Sequence, residues 1–355
     1  MTYVNISSLK TSFITPSEIR EKLLSKFGPV TPNDHVIATD ELELLRGEDL
    51  VKSAGRQGKT FLPLRRVSFI KETNRFPKRV LLELTSKCNS YCTMCPRNVL
   101  TRREDHMDTA LAKNVIRQLA EVGISGLWLY NIGESLLHPD FFEILDYCRT
   151  FDTLGTIWLS TNGEILDEKM REKLLAHPVD ILNYSVNSMS EKQFKKITTN
   201  LNFYRVQHNL KALVKLKKQL KASKPIIRAQ MIELPYVLDE IEDFKREFGN
   251  KVDILNINKL EVFSQNIDYG QDSPVNNVNI LKCNRLERED FFIFSDGSVS
   301  CCDTDFNCIF NLGNLNEQSV KEIYEGEKYQ GLLRQYLDGR LHEQKLCSKC
   351  RDFNL

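Results

Sequence analysis

Ten cysteines stand in this 355-residue chain, and nine of them fall into two groups. The first group reads Thr85-Ser-Lys-Cys88-Asn-Ser-Tyr-Cys92-Thr-Met-Cys95-Pro-Arg97, a C-x₃-C-x₂-C spacing. Cysteine thiolates are the usual ligands of a cubane 4Fe–4S cluster, which has four irons to satisfy. Three cysteines therefore leave one iron open to a small chelating molecule, much as catalytic metal sites keep one position free. A zinc site and three structural thiols are the alternatives. Zinc sites usually close with four ligands, and no fourth Cys or His lies within this loop.

Alternating strand and helix patterns surround the loop. Strands are expected at 80–85, 127–130, 156–160, 181–186, 226–232 and 252–260, with helices at 111–122, 139–151, 167–176, 203–220 and 238–248 between them. Six βα-like repeats with short connections imply a parallel sheet with helices outside, curled into a full or partial barrel. Chemistry then sits at the C-terminal ends of the strands, and Cys88 follows the first of them directly. The lysines of the long helix (Lys211, Lys215, Lys218) read as a solvated face. Residues 1–76 are weakly patterned beyond a short helix expected at 16–26, and form an N-terminal extension of unreadable role. The barrel is assigned to 77–270 and a small cysteine-rich extension to 271–355.

At the first cysteine group the sequence resembles the radical S-adenosylmethionine (SAM) superfamily, whose signature is this spacing on the loop after the first strand of a partial (β/α)₆ TIM-like barrel. The resemblance implies a cluster held by Cys88, Cys92 and Cys95, with SAM chelating the open iron. It further implies reductive cleavage of SAM to a 5′-deoxyadenosyl radical that takes hydrogen from a substrate. Met94 stands where the family more often has an aromatic residue. Asn131-Ile-Gly133-Glu134 after the second strand resembles the family motif in which a carboxylate holds the SAM amino group; the more usual double glycine is here Ile132–Gly133. A carboxylate suits an ammonium, and glycine permits close backbone approach. Ser160 and Asn162 after the third strand, with Ser185 and Asn187 after the fourth, resemble positions that contact the ribose and methionine parts of SAM. As bare sequence they are equally ordinary turn and capping residues. His138-Pro139 reads as a helix start.

On the fifth strand Arg228 and Gln230 share one face, as Asn256 and Asn258 do on the sixth. They either line the barrel mouth as substrate-binding residues or face solvent. Arg97 is a similar candidate.

The second cysteine group comprises Cys283, Cys301, Cys302, Cys308, Cys347 and Cys350. Asp296–Gly297 between apolar runs suggests a hairpin turn. The region resembles the SPASM/twitch extension of the same superfamily, as does Leu312-Gly313-Asn314-Leu315 followed by Ser319-Val-Lys-Glu-Ile-Tyr324. That resemblance implies one auxiliary 4Fe–4S cluster held by Cys283, Cys302, Cys347 and Cys350, with Cys302 favoured over Cys301 by its distance from Gly297. A four-cysteine zinc site is the alternative. Cys301 and Cys308 would then be spare thiols, able to give hydrogen to a carbon radical as in radical epimerases, or simply packed. Cys148, inside an amphipathic helix, reads as core.

Hydrophobic residues make up 41% and charged residues 27% of the chain, with a formal net charge of +1. That balance disfavours nucleic acid or an anionic membrane as partner. No apolar run approaches a membrane span and the N-terminus lacks a signal-peptide pattern, so a cytoplasmic protein is expected. The expected function is oxidation or epimerisation of a small polar metabolite such as a sugar, aminocyclitol or natural-product intermediate, with flavodoxin or ferredoxin as electron donor. Modification of a peptide or protein side chain is the runner-up. A non-catalytic iron–sulfur electron carrier is the alternative from another class.

Overall fold

The computed structural model describes residues 77–260 and 283–350, plus four short strands nearer the N-terminus. These are β1 (Tyr3–Asn5), β2 (Asp34–Ala38), β3 (Leu42–Arg46) and β4 (Phe61–Pro63); β1 pairs with β4 and β2 with β3, both antiparallel. The helix expected at 16–26 lies outside the described residues.

From residue 79 strand and helix alternate: β5 (Arg79–Leu82), α1 (Thr109–Val122), β6 (Gly126–Trp128), α2 (Phe141–Cys148), β7 (Thr156–Thr161), α3 (Glu168–Ala176), β8 (Ile181–Ser185). Then come α4 (Glu191–Ile197), α5 (Phe203–Gln219), β9 (Ile226–Glu233), α6 (Ile241–Phe248) and β10 (Ile254–Lys259). Past residue 283 follow α7 (Asn284–Glu287), β11 (Asp290–Ile293), β12 (Ser298–Ser300), β13 (Gly313–Asn314), α8 (Val320–Glu325) and α9 (Glu327–Leu337). The chain forms two compact units, one of residues 76–273 and 289–326, the other of 1–75, 274–288 and 327–355.

In the first unit β5 to β10 lie side by side, all parallel, as six βα repeats require. The sheet does not close. Its other edge continues through β11, parallel to β5, and then through antiparallel β12 and β13. Asp296–Gly297 forms the expected β11–β12 turn, with Gly297 at φ +84°. Helix starts are capped by side chains the sequence supplies at the right place: Asp108, Asp167, Ser190 and Asn202 each accept a backbone N–H of the first turn.

Alternation decides which face of each strand holds chemistry. On β7 Ile157 and Leu159 are buried, whereas Trp158 and Ser160 are partly exposed on the opposite face. On β8 the Tyr184 hydroxyl donates to the Val206 carbonyl of α5 at 2.7 Å, so Leu182 and Tyr184 face the helices. Asn183 and Ser185 therefore face the other way. On β9 Ile227, Ala229 and Met231 are buried, leaving Arg228, Gln230 and Ile232 on the face shared with Asn183. Cys148, fully buried, is core as expected. Each apolar side chain buried between sheet and helices, such as Val80, Ile116 or Leu210, contributes about 1.5–3 kcal/mol.

One buried ion pair fixes the start of this unit. Arg102 Nη1 and Nη2 each donate to Glu83, just past β5, at 2.6 Å, while Arg102 Nε donates to the Phe306 carbonyl at 2.6 Å. Glu83 also accepts the Ser295 and Ile132 N–H groups, at 3.2 and 3.4 Å. The second unit is held in part by Tyr336 of α9, whose hydroxyl donates to Glu287 at 2.7 Å and accepts the Cys283 N–H at 3.3 Å.

Candidate active site

The cysteine loop after β5 is fixed from several sides. Thr93 N–H donates to the Ile197 carbonyl at 2.8 Å, and the Ser90 hydroxyl lies 2.8 Å from that of Thr198 and 3.0 Å from Cys92 Sγ. Arg97 is buried behind the loop: it donates to the Ser90 carbonyl at 3.1 Å, pairs with Glu104, and stacks 4.4 Å over the Tyr91 ring. Arg97 therefore shapes the loop. Met94 packs into a small core with Ile197, Leu234 and Val237.

Cys88, Cys92 and Cys95 are all partly buried and feel one another electrostatically. Burial pushes the Cys88 thiol up to about 11 and Cys95 to about 12, and raises Cys92 as well. Thiols in such a place are neutral until a cationic metal centre draws off their protons. Among the described residues no three His, Cys, Asp or Glu side chains gather around a point that would suit one metal ion. In a cubane each thiolate takes a different iron, so its cysteines need not converge on one point.

The loop after β6 meets the cysteine loop at backbone distance. A Cβ on Gly133 would lie 2.0 Å from the Thr85 carbonyl oxygen, so only glycine fits. The next N–H, of Glu134, donates to the Lys87 carbonyl at 3.0 Å. Glu134 is only 2% exposed; its Oε2 accepts the Asn162 N–H at 2.8 Å, while its Oε1 is buried with no hydrogen-bond partner. Burial pushes this carboxyl up to about 7, partly offset by the Asn162 N–H and the Thr161 hydroxyl. An unpartnered buried carboxylate oxygen beside the cysteine loop has the chemistry to receive an ammonium.

Asn162 joins the two loops. Its amide nitrogen donates to Asn89 Oδ1 at 2.8 Å and lies 3.9 Å from Cys88 Sγ. Ser160, two residues earlier on β7, accepts from Asn183 Nδ2 at 3.1 Å. Asn187 is buried at φ +57°, donates its N–H to the Gln230 carbonyl at 3.4 Å, and keeps a buried Oδ1 without partner. Ser185 stands beside Gln230, which stands beside Asn256. Gln230 Oε1 accepts from Asn258 at 2.9 Å, and Asn256 donates to Asn258 at 2.6 Å. Arg228 lies one row deeper beside Asn183; its Nε and Asn183 Oδ1 are both buried without partners. His138 is a buried turn residue, accepting the Asp140 N–H and bonded to the Met107 carbonyl. Asn183 is not among the residues that sequence reasoning selects, although its parity with Ser185 in Ile-Leu-Asn-Tyr-Ser marks it.

The later cysteines divide between the units. In the first, Cys301 is 2% exposed, while Cys302 is less buried, with Sγ 3.2 Å from the Thr304 hydroxyl. Cys308, at φ +54°, is partly buried with Sγ 3.7 Å from the Val299 carbonyl, and burial pushes its thiol up to about 12. In the second unit Cys347 opens a 3₁₀ turn (Cys347–Lys349) whose carbonyl accepts the Cys350 N–H at 3.0 Å, and Cys283 precedes α7.

Two family models match the chain: the radical SAM superfamily over residues 82–247, and an iron–sulfur cluster-binding domain, SPASM, over 283–351. The chain belongs to the radical SAM superfamily. A GTP 3′,8-cyclase from Chlorobaculum tepidum is 28% identical over 145 residues, 40% of this chain and 43% of that protein. An S-adenosyl-L-methionine-dependent 2-deoxy-scyllo-inosamine dehydrogenase from Niallia circulans is 21% identical over 276 residues, 77% of this chain and 92% of that protein. The crystal structure of Streptococcus suis SuiB bound to precursor peptide SuiA shares the fold: TM-score 0.60 at 13% identity, covering 96% of this chain and 88% of that one. The matches span only 43% and 59% of the first two cyclases' own length.

The cofactors of this radical SAM protein are thus a SAM-binding 4Fe–4S cluster, an auxiliary iron–sulfur cluster and SAM. The residues present fit the first set: three grouped thiols beside the Arg97 guanidinium, and the unpartnered Glu134 Oε1 across the Gly133 contact. Among the described residues no helix is long and apolar enough to cross a membrane.

Proposed function

We propose that this radical SAM enzyme oxidises a carbon of a polar small molecule held on the open face of the β7–β10 sheet. The observation that carries the reading is the orphaned Glu134 Oε1 beside Cys88, with rows of polar side chains on the strands next to it. When bound, the reduced cluster and SAM supply a 5′-deoxyadenosyl radical as hydrogen abstractor, and the auxiliary cluster supplies an electron acceptor.

The chain's own residues bind and orient. Cys88, Cys92 and Cys95 hold the first cluster, and Glu134 Oε1 takes the SAM ammonium. Asn162 keeps Glu134 and the cysteine loop in register, while Ser160, Ser185 and Asn187 contact the ribose and methionine parts. Arg228 and Gln230 hold the substrate, and fixing it against the 5′ carbon lowers the barrier by proximity and orientation. Cys283, Cys302, Cys347 and Cys350 hold the auxiliary cluster; the deeper burial of Cys301 favours Cys302 as the ligand of that adjacent pair. Flavodoxin or ferredoxin serves as electron donor.

Epimerisation is the second reading, because Cys308 offers a neutral thiol as hydrogen donor. Turnover of polyols and amino sugars in D₂O separates the two. Oxidation gives a product two mass units lighter than substrate, unchanged in yield by Cys308→Ala. Epimerisation gives an isomer that carries solvent deuterium and disappears in that variant. Reconstituted enzyme that cleaves SAM yet gives neither product type from any small molecule would remove both.

A further inference from the structure

The deeper row of the sheet's open face holds an uncommon feature. Ser160, Asn183 and Arg228 stand side by side on β7, β8 and β9. Asn183 uses its amide nitrogen on Ser160, and its Oδ1 is buried without partner. Across the same register Arg228 Nε is equally buried without partner, and among the described residues no carboxylate forms an ion pair with this guanidinium. Arg228 is partly buried, and its Nε, taken out of water without a partner among the described residues, loses hydration that a bound acceptor would restore. Elsewhere in the unit the arrangement differs: buried Arg102 has Glu83, Arg97 has Glu104, and Arg171 donates to the Leu166 carbonyl and Asn209.

We propose that Arg228 and Asn183 form an anion subsite that selects substrates carrying a phosphate or carboxylate group next to a hydroxyl. The planar guanidinium takes the oxyanion, and Asn183 Oδ1 accepts the neighbouring hydroxyl. Gln230, tied to Asn258 in the next row, borders the subsite towards the strand ends. The row before it carries Trp158, stacked 5.7 Å from Trp128. An anion here thus leaves the rest of the molecule towards the strand ends, where the loops carrying Cys88 and Glu134 are joined by the Glu134 N–H to Lys87 bond. The inference rests on the open-face substrate site proposed above and narrows its occupant to an anionic polyol class.

The chain has two tryptophans, and both lie in the row next to the subsite, so intrinsic fluorescence reports on it. Anaerobically reconstituted protein is titrated at constant ionic strength with inorganic phosphate, then with glucose, glucose 6-phosphate and glucuronate. Phosphate should give a saturable change that weakens roughly tenfold or more in Arg228→Gln and survives in Arg228→Lys. The two anionic sugars distinguish phosphate from carboxylate as the preferred group, and each should bind more tightly than glucose. No saturable response to phosphate, or one unchanged by Arg228→Gln, overturns the subsite. Dithionite-driven SAM cleavage is measured on the same samples. Loss of SAM binding by Arg228→Gln in equilibrium dialysis would assign Arg228 to SAM and overturn the proposal. A wild-type protein that never cleaves SAM would instead defeat the enzymatic reading, a separate failure.

Discussion

The backbone N–H of Asn162 donates 2.8 Å to Glu134 Oε2, and leaves Oε1 of that carboxylate buried and unpaired. One oxygen holds the loop, and the other has no hydrogen-bond partner. The Asn162 side chain reaches the cysteine loop at Asn89 and Cys88, so one residue at the end of β7 links both cofactor-facing loops.

SAM affinity should rise with pH. Glu134 holds its proton up to about pH 7 because it is buried. An ammonium needs the carboxylate form, so binding below that value must displace the proton, and affinity falls by up to tenfold per pH unit on the acid side. Equilibrium dialysis of SAM between pH 6 and 8 should show this slope. In Glu134→Gln the slope should vanish and affinity should fall roughly ten- to a hundredfold.

Gly133→Ala should separate cluster binding from SAM binding. The added methyl meets the Thr85 carbonyl at 2.0 Å, so one loop must move. Iron content should stay near wild type, since the cysteines remain. SAM cleavage should drop at least a hundredfold. A variant with normal cleavage would show that the close approach of the two loops is dispensable.

The Glu83–Arg102 pair is a sharp stability test. Glu83 is fully buried and the Arg102 side chain is 8% exposed. Arg102→Met leaves an unpaired buried carboxylate and should cost about 3–5 kcal/mol in urea unfolding. Adding Glu83→Leu should recover a large part, because replacing both charges by apolar groups is often neutral.

Much of this was legible in the sequence. Six parallel strands and the cysteine loop at the end of the first followed from spacing and periodicity, and the Gly133–Glu134 motif from its resemblance to the family. Strand β11 is harder: the Phe-rich run near 291 reads as part of a hairpin, and only tertiary pairing reveals that it also extends the barrel sheet beside β5. Helix α4 escapes sequence reading because its seven residues carry only two buried side chains, Phe194 and Ile197, too few to set a period. The family resemblance marks Asn162 as a SAM contact; the bond of its amide group to Asn89, close to Cys88, is a long-range contact that local sequence does not encode. The openness of the face carrying Arg228 and Gln230 rested on which side the helices cover. The Tyr184–Val206 bond decided that.

The most direct measurement is dithionite-driven formation of 5′-deoxyadenosine by anaerobically reconstituted protein, with iron counted in the same sample. About eight irons per chain, as two cubanes require, together with 5′-deoxyadenosine that disappears in Cys92→Ala, is the expected result. Iron-loaded protein that releases no 5′-deoxyadenosine, or a Cys92→Ala variant that still does, would contradict it.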